Sequence, residues 1–188
     1  MFAVKILWIL VWATLKPTPI PLTPEVAGKL QQIAFQAARE GDVESLVEYF
    51  RIGRPVNDVN ARGDTLLTVA AYAGQTEAIV AILKQPKVEI DAKNKMGLTA
   101  LTAAAFKGHV DIAKLLVTAK ANVNHANGSG QTALMFAALT GKAEMVAFLL
   151  KSGADPKAKD KSGKTALSLA QEQGADDAVK LLVEALKK

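Results

Sequence analysis

The chain contains no cysteine. Disulfides, thiolate nucleophiles and cysteine-ligated zinc are therefore excluded. Histidine is nearly as scarce: His109 and His125 lie 16 residues apart and fit no metal-ligand spacing. Aromatic residues make up 5% of a sequence that is 50% hydrophobic, so the apolar volume comes mainly from Ala and Leu. That composition suits closely packed helices better than a sandwich or barrel. A large surplus of one charge is missing too. The formal charge is +5, and Lys5 and Lys16 account for two of it within a first segment that holds no acid. The remaining bases alternate with acids, which is no nucleic-acid footprint. At 188 residues the chain is long enough for one domain with a real core.

The opening stretch, MFAVKILWILVWATL, is apolar except for Lys5 and Thr14, and it holds both tryptophans, Trp8 and Trp12. It lacks the polar face of a surface helix. Phe2 to Leu15 would span about 21 Å as a helix, against roughly 30 Å of bilayer hydrocarbon. One lysine followed by an apolar run resembles a secretory signal peptide, with small residues Val11 and Ala13 before a cut after Ala13. Residues 1–23 are expected to form a hydrophobic signal or anchor segment with membrane contact through residues 1–15. A hydrophobic helix packed on the domain end as an extra cap is the alternative. Pro17, Pro19, Pro21 and Pro24 favour a stiff, extended spacer. Thr23, Pro24 and Glu25 then read as an N-cap, a first-turn proline and a dipole-favourable acid, so the globular domain is expected to begin here.

The glycines carry the organisation of the rest. Gly63, Gly97, Gly130 and Gly163 are separated by 34, 33 and 33 residues. Gly41, Gly74, Gly108, Gly141 and Gly174 form a second series at 33, 34, 33 and 33. Each glycine of the first series precedes one of the second by 11 residues, so one supersecondary unit is repeated. The strings GDTLLTVAAYAG, GLTALTAAAFKG, GQTALMFAALTG and GKTALSLAQEQG are versions of one another. Apolar residues at helical spacing follow each one: Ile79 and Ile82, Ile112 and Leu116, Met145 and Leu149, Val179 and Leu182. Each unit therefore reads as helix, tight turn, helix and irregular return. Threonine is placed to cap the first helix and the second glycine to end it at positive φ. Paired alanines at 37–38, 70–71, 104–105 and 137–138 let neighbouring helix pairs approach closely. The extra residue of one unit falls in KQPKVEID, a loop, where insertion costs little.

On these residues the chain resembles the ankyrin repeat family, from about Gln31 to Leu186. The resemblance implies an all-α ankyrin-repeat solenoid over 24–188, with repeats at about 24–62, 63–96, 97–129, 130–162 and 163–188. It departs from the family where Thr-Pro-Leu-His is expected. Thr65-Leu66-Leu67-Thr68 and its counterparts lack the proline and the histidine, which implies a weaker hydrogen-bond network. Lys120 stands where Gly53 and Gly153 stand in other units. Polar residues in the first and last units suggest solvated caps. The family also implies a non-catalytic scaffold that binds a protein, a monomer with no cofactor or metal, while the mild charge argues against nucleic acid; the alternatives are a membrane-tethered structural protein, or a nucleotide-binding protein through Gly163-Lys164-Thr165. The leader places it in a bacterial periplasm or on an inner membrane, with a cytoplasmic location as the alternative.

One motif points elsewhere. Ala158 to Thr165, AKDKSGKT, fits a relaxed phosphate-loop pattern. Gly163-Lys164-Thr165 nonetheless occupies the repeat phase of Gly63-Asp64-Thr65, and a charged turn precedes it where a buried strand is required. His125 reads as a surface histidine in a turn, and Asp176 and Asp177 as acids at a helix N-terminus. Lysines near the turns read either as a solvated rim or as a basic edge. Family geometry directs the residue two before the second glycine, together with the turn tips, into the concave surface. Tyr72, Met96, Leu98, Phe106 and Leu139 are thus the candidate apolar centre of a partner-binding patch, and Arg62, Lys95, Lys107 and Lys164 its charged rim. Packing among neighbouring helices is the competing reading, above all for Phe106 and Leu139.

Overall fold

The computed structural model describes residues 23–187; the apolar leader, residues 1–15, and most of the spacer lie outside them. Ten helices occur among these residues. They are α1 (Pro24–Glu40), α2 (Val43–Arg51), α3 (Leu66–Ala73), α4 (Thr76–Leu83), α5 (Ala100–Lys107), α6 (Val110–Thr118), α7 (Ala133–Leu139), α8 (Ala143–Lys151), α9 (Ala166–Glu172) and α10 (Asp176–Leu186). They pair as five helix-turn-helix units. First helices α1, α3, α5, α7 and α9 stack in sequence, as do second helices α2, α4, α6, α8 and α10. The only strand-like pairing among the described residues is two isolated antiparallel bridges, Val59 with Thr65 and Ala126 with Thr132.

The middle first helices, α3, α5 and α7, are buried almost all round because they touch helices on three sides. In α3 every residue from Leu66 to Ala71 is buried, and in α5 every residue from Ala100 to Ala105. Alanine allows this contact: Ala38, Ala70, Ala71, Ala104, Ala105, Ala137 and Ala138 have no solvent exposure. A larger side chain there would hold neighbouring units apart. The second helices bury one stripe each, such as Ile79 with Ile82, Ile112 with Leu116, and Met145 with Leu149.

Threonine starts the first helices. Thr65, Thr99, Thr132 and Thr165 each accept a bond from the backbone N–H three residues on, at 3.1, 3.4, 3.4 and 3.2 Å. Gly74 ends α3 with φ of 82°, and its N–H donates to the Ala70 carbonyl. A Cβ at Gly74 would also meet the His109 ring at 2.8 Å, so the turn is fixed both by backbone handedness and by the next unit. His109 caps α6 by backbone position alone, without a side-chain cap bond.

The absent histidine is compensated locally. Thr65 and Thr68 hydroxyls pair at 3.1 Å, Thr99 and Thr102 do the same, and Ser168 completes a capping box with Thr165. Only Met135 leaves the position apolar. The network is therefore rebuilt within units.

The first unit departs most from the others. Gln32, at the threonine phase, begins nothing; Thr23 caps a helix of 17 residues. Its outward side is a mixed cap: Gln32, Gln36, Arg39 and Glu40 are exposed as the sequence suggests, but aliphatic residues are open beside them. Val26, Ile33 and Val47 are exposed, and a groove of about 820 Å³ is lined by Leu30, Ile33, Val43, Val47, Tyr49 and Ile52 with Glu44, Ser45 and Glu48. The last unit does present polar residues outward, with Gln171, Glu172, Lys180 and Glu184 exposed.

Candidate interaction surface

The hairpin tips are built by one recurring side chain. Asn60 Oδ1 accepts from the N–H groups of Arg62 and Asp64 at 2.8 and 3.0 Å. Asn94 serves Met96 and Leu98, Asn127 serves Ser129 and Gln131, and Asp160 serves Ser162 and Lys164, each at 2.9 Å. The tips also bond to one another: Lys95 N–H donates to Arg62 O at 3.0 Å and Lys161 N–H to Ser129 O at 2.9 Å. At Gly63, with φ of 79°, a Cβ would approach Lys95 N to 3.0 Å. Small tip residues are what permit this stacking.

Asp64 is the one buried acid among the described residues. Burial pushes its carboxyl up, but bonds from Asn94 (2.8 Å), Asn60 (3.1 Å) and Arg62 (2.9 Å) more than offset this and hold it below the usual range. Arg62 is exposed with its guanidinium turned onto Asp64. Lys164 donates to Glu172 at 2.6 Å.

On the first helices, Tyr72 is 51% exposed and Phe106 is 37% exposed. Their rings stack at 6.4 Å with an interplanar angle of 13°. Phe136 meets Phe106 edge-on at 6.3 Å. Lys107 Nζ lies 5.1 Å from the centre of the Tyr72 ring, within cation–π range. Met96 is 72% exposed at its tip, beside exposed Lys95 and half-buried Leu98. Leu139 is half-buried and packs against the core. Phe136, which the phase of Leu139 did not single out, continues the aromatic row instead. It sits one helical turn before Leu139, and the signal for it was the aromatic at that i−3 position.

The other chemistry-bearing groups are engaged within the fold. The phosphate-loop string has its backbone donors already taken, because Asp160 Oδ1 receives the N–H groups of Ser162 and Lys164 and the Ser162 hydroxyl. Those bonds, the Ser162 hydroxyl foremost, hold the Asp160 carboxyl below its ordinary value. Thr165 caps α9, Lys164 is paired, and no strand leads in. His125 is more than a surface histidine: its ring is half-buried, and Nε2–H donates to Gly97 O of the preceding tip at 3.0 Å. Tyr49 is buried and donates to the Asp58 carboxylate, with the Arg54 guanidinium 5.9 Å from its ring. Burial, with Asp58 beside it, pushes the Tyr49 phenol up to about 12, so it stays protonated at neutral pH. A shallow pocket of about 270 Å³ holds His109, Asp111 and Glu144. Among the described residues no three His, Asp or Glu side chains converge as metal ligands. Nor is any described helix long and apolar enough to cross a membrane.

Comparison with known proteins agrees with this architecture. A family profile for ankyrin repeats in three copies matches residues 34–127, and one for ankyrin repeats in many copies matches 116–170. The chain is 33% identical over 88 residues to alpha-latrocrustotoxin-Lt1a of Latrodectus tredecimguttatus, covering 46% of this chain and 6% of that protein. It is 32% identical over 85 residues to ankyrin repeat and SOCS box protein 2 of Bos taurus, covering 45% of this chain and 13% of that one. It is 34% identical over 79 residues to serine/threonine-protein kinase 12 of Arabidopsis thaliana, covering 42% and 17%. The matched stretches thus span less than a fifth of each relative.

Proposed function

Because this chain belongs to the ankyrin repeat family, whose units are protein–protein interaction modules, we propose that it is a non-catalytic scaffold. It grips a protein partner through the first helices and hairpin tips of its middle units. The carrying observation is the partly exposed aromatic row of Tyr72 and Phe106, beside a tip whose Met96 is open to solvent. Stacked rings fixed on a rigid scaffold offer large apolar area at little entropic cost, the usual make-up of a binding hot spot. The Lys95 and Lys107 side chains, and the already paired Arg62 and Lys164, supply a polar surround.

The test is capture from native lysate with the full chain and with Tyr72→Ala/Phe106→Ala. Both side chains are exposed, so native helicity by circular dichroism should be retained. Partners crosslinked to the parent chain should be lost from the variant. Undiminished capture would remove these residues from the site.

The reading of location rests on the sequence. The apolar stretch Phe2–Leu15, with its single lysine, supports export to a periplasm or tethering at an inner membrane. N-terminal sequencing of the mature protein and liposome flotation, each beside a chain starting at Thr23, test it. Equal flotation of both chains would rule the leader out as an anchor.

A further inference from the structure

Charge is unevenly distributed over the stack. Within 23–187, the first helices and the four hairpin tips (59–64, 93–98, 126–131 and 159–164) hold nine Lys and Arg against five acids. The second helices, turns and return loops hold eleven against thirteen. The acids on the positive side are also engaged. Glu25 pairs with Lys29, Asp64 is buried under Arg62, Glu172 pairs with Lys164, and Asp160 is turned into its own loop. The fifth, Glu40, accepts from Gln36. By contrast Lys93, Lys95, Lys107, Lys159 and Lys161 have no ion-pair partner among the described residues. Pairing removes bases and acids in equal number, so the surplus of positive charge stays and is concentrated on these unpaired lysines.

This is the side that carries the aromatic row. Lys107 reaches over Tyr72, and Lys95 adjoins Met96 on the tip that leads into α5, the helix of Phe106. Resting on the reading that this face is the binding surface, we infer that its partner is an acidic peptide segment. An aromatic or long aliphatic side chain of that segment seats at Tyr72 and Phe106, flanked by Asp or Glu that reach Lys95 and Lys107. Complementary charge fixes register and speeds encounter, while a basic segment would be repelled. A nucleic-acid strand also carries negative charge and stacking bases. It would need cationic contacts along its length, yet the third tip, Ala126 to Gln131, carries no charge. The lysines fall in two separate groups on either side of it, so they do not track a continuous phosphate backbone.

Panning random 12-residue peptides displayed on phage against the immobilised full chain tests this. Tyr72→Ala/Phe106→Ala and Lys95→Glu/Lys107→Glu are panned in parallel. The parent pool should enrich Asp and Glu around an aromatic or leucine, and the aromatic-deleted variant should lose that pool. The charge-reversed variant should bind the best parent peptide about tenfold more weakly and drop the acidic excess, with the parent's affinity falling as salt rises. A neutral or basic pool that still needs Tyr72 and Phe106 overturns the acidic assignment and leaves the binding face standing. A pool indifferent to the aromatic deletions overturns the face itself. Failure to enrich any peptide, or tighter binding of a twelve-nucleotide oligothymidylate than of the best peptide, overturns the inference.

Discussion

Lys120 adopts φ of 75°, the left-handed region that Gly53 and Gly153 occupy at the same repeat phase with φ of 80° and 89°. A side chain there costs roughly 1–2 kcal/mol, partly offset because glycine orders at a greater entropic loss. Lys120→Gly should therefore stabilise the protein by about 0.5–1 kcal/mol, and Gly153→Lys should cost about as much, read as opposite shifts in urea midpoint. Unmoved midpoints would show that the loop relaxes around the lysine. Asp64 contributes to stability through its charge. Its native carboxyl is held below the unfolded value of about 3.9, so on acidification the unfolded chain takes the proton first. The stability it adds is present above about pH 4 and is lost as pH falls through the native value. Compared with Asp64→Asn, the parent should be more stable at pH 6, and the gap should narrow below pH 4. A gap independent of pH would mean that the carboxylate's charge is not what Asn60, Arg62 and Asn94 hold.

At the scale of elements, links between units matter as much as packing within them. Asn124 Nδ2 donates to Gly153 O at 2.9 Å while its Oδ1 accepts from Asp155 N at 2.9 Å. Asn57 does the same with Lys87 O and Glu89 N, and Asp91 accepts from Asn122 N. Lys87, at the repeat phase of Gly53, Lys120 and Gly153, takes the same left-handed backbone with φ of 62° and presents its carbonyl to Asn57. Asn124→Ala should cost about 1–2 kcal/mol for the two bonds, with amide exchange accelerating in α8 to α10 ahead of α3 and α4. Uniform acceleration would mean that this link does not divide the stack. The helices and their threonine caps were legible in the sequence because they repeat with the glycines. These links were not singled out, though positions 57, 91 and 124 keep the same 34 and 33 spacing; the donors and acceptors lie in irregular backbone some thirty residues apart. Position 157 of that series is lysine, exposed in the last unit. The aromatic row was half legible. Tyr72 and Phe106 share a phase, whereas Phe136 reaches Phe106 from a different one, and only coordinates reveal that an i−3 residue does so.

For the whole molecule, helix packing runs mainly between adjacent units, so stability should add unit by unit. Duplicating residues 97–129 in tandem should raise the urea midpoint and increase the slope of the transition by about a fifth, in proportion to surface buried. An unchanged slope would mean that the added copy does not stack. The charge-segregated face would lengthen with it, while the aromatic contact between α3 and α5 would be preserved upstream of the insertion.

The two ends of the stack differ. Val26, Ile33 and Val47 are 42, 54 and 47% exposed at the first unit, and no large apolar side chain of the last unit is open to that degree. Head-to-tail polymerisation requires two complementary ends, and among the described residues the exposed aliphatic patch lies at one extremity alone. Copies that bury this patch against itself face each other across a twofold axis, and that encounter closes at a pair. Joined in that way, the two ends left outward are the polar last units, and the pair extends no further.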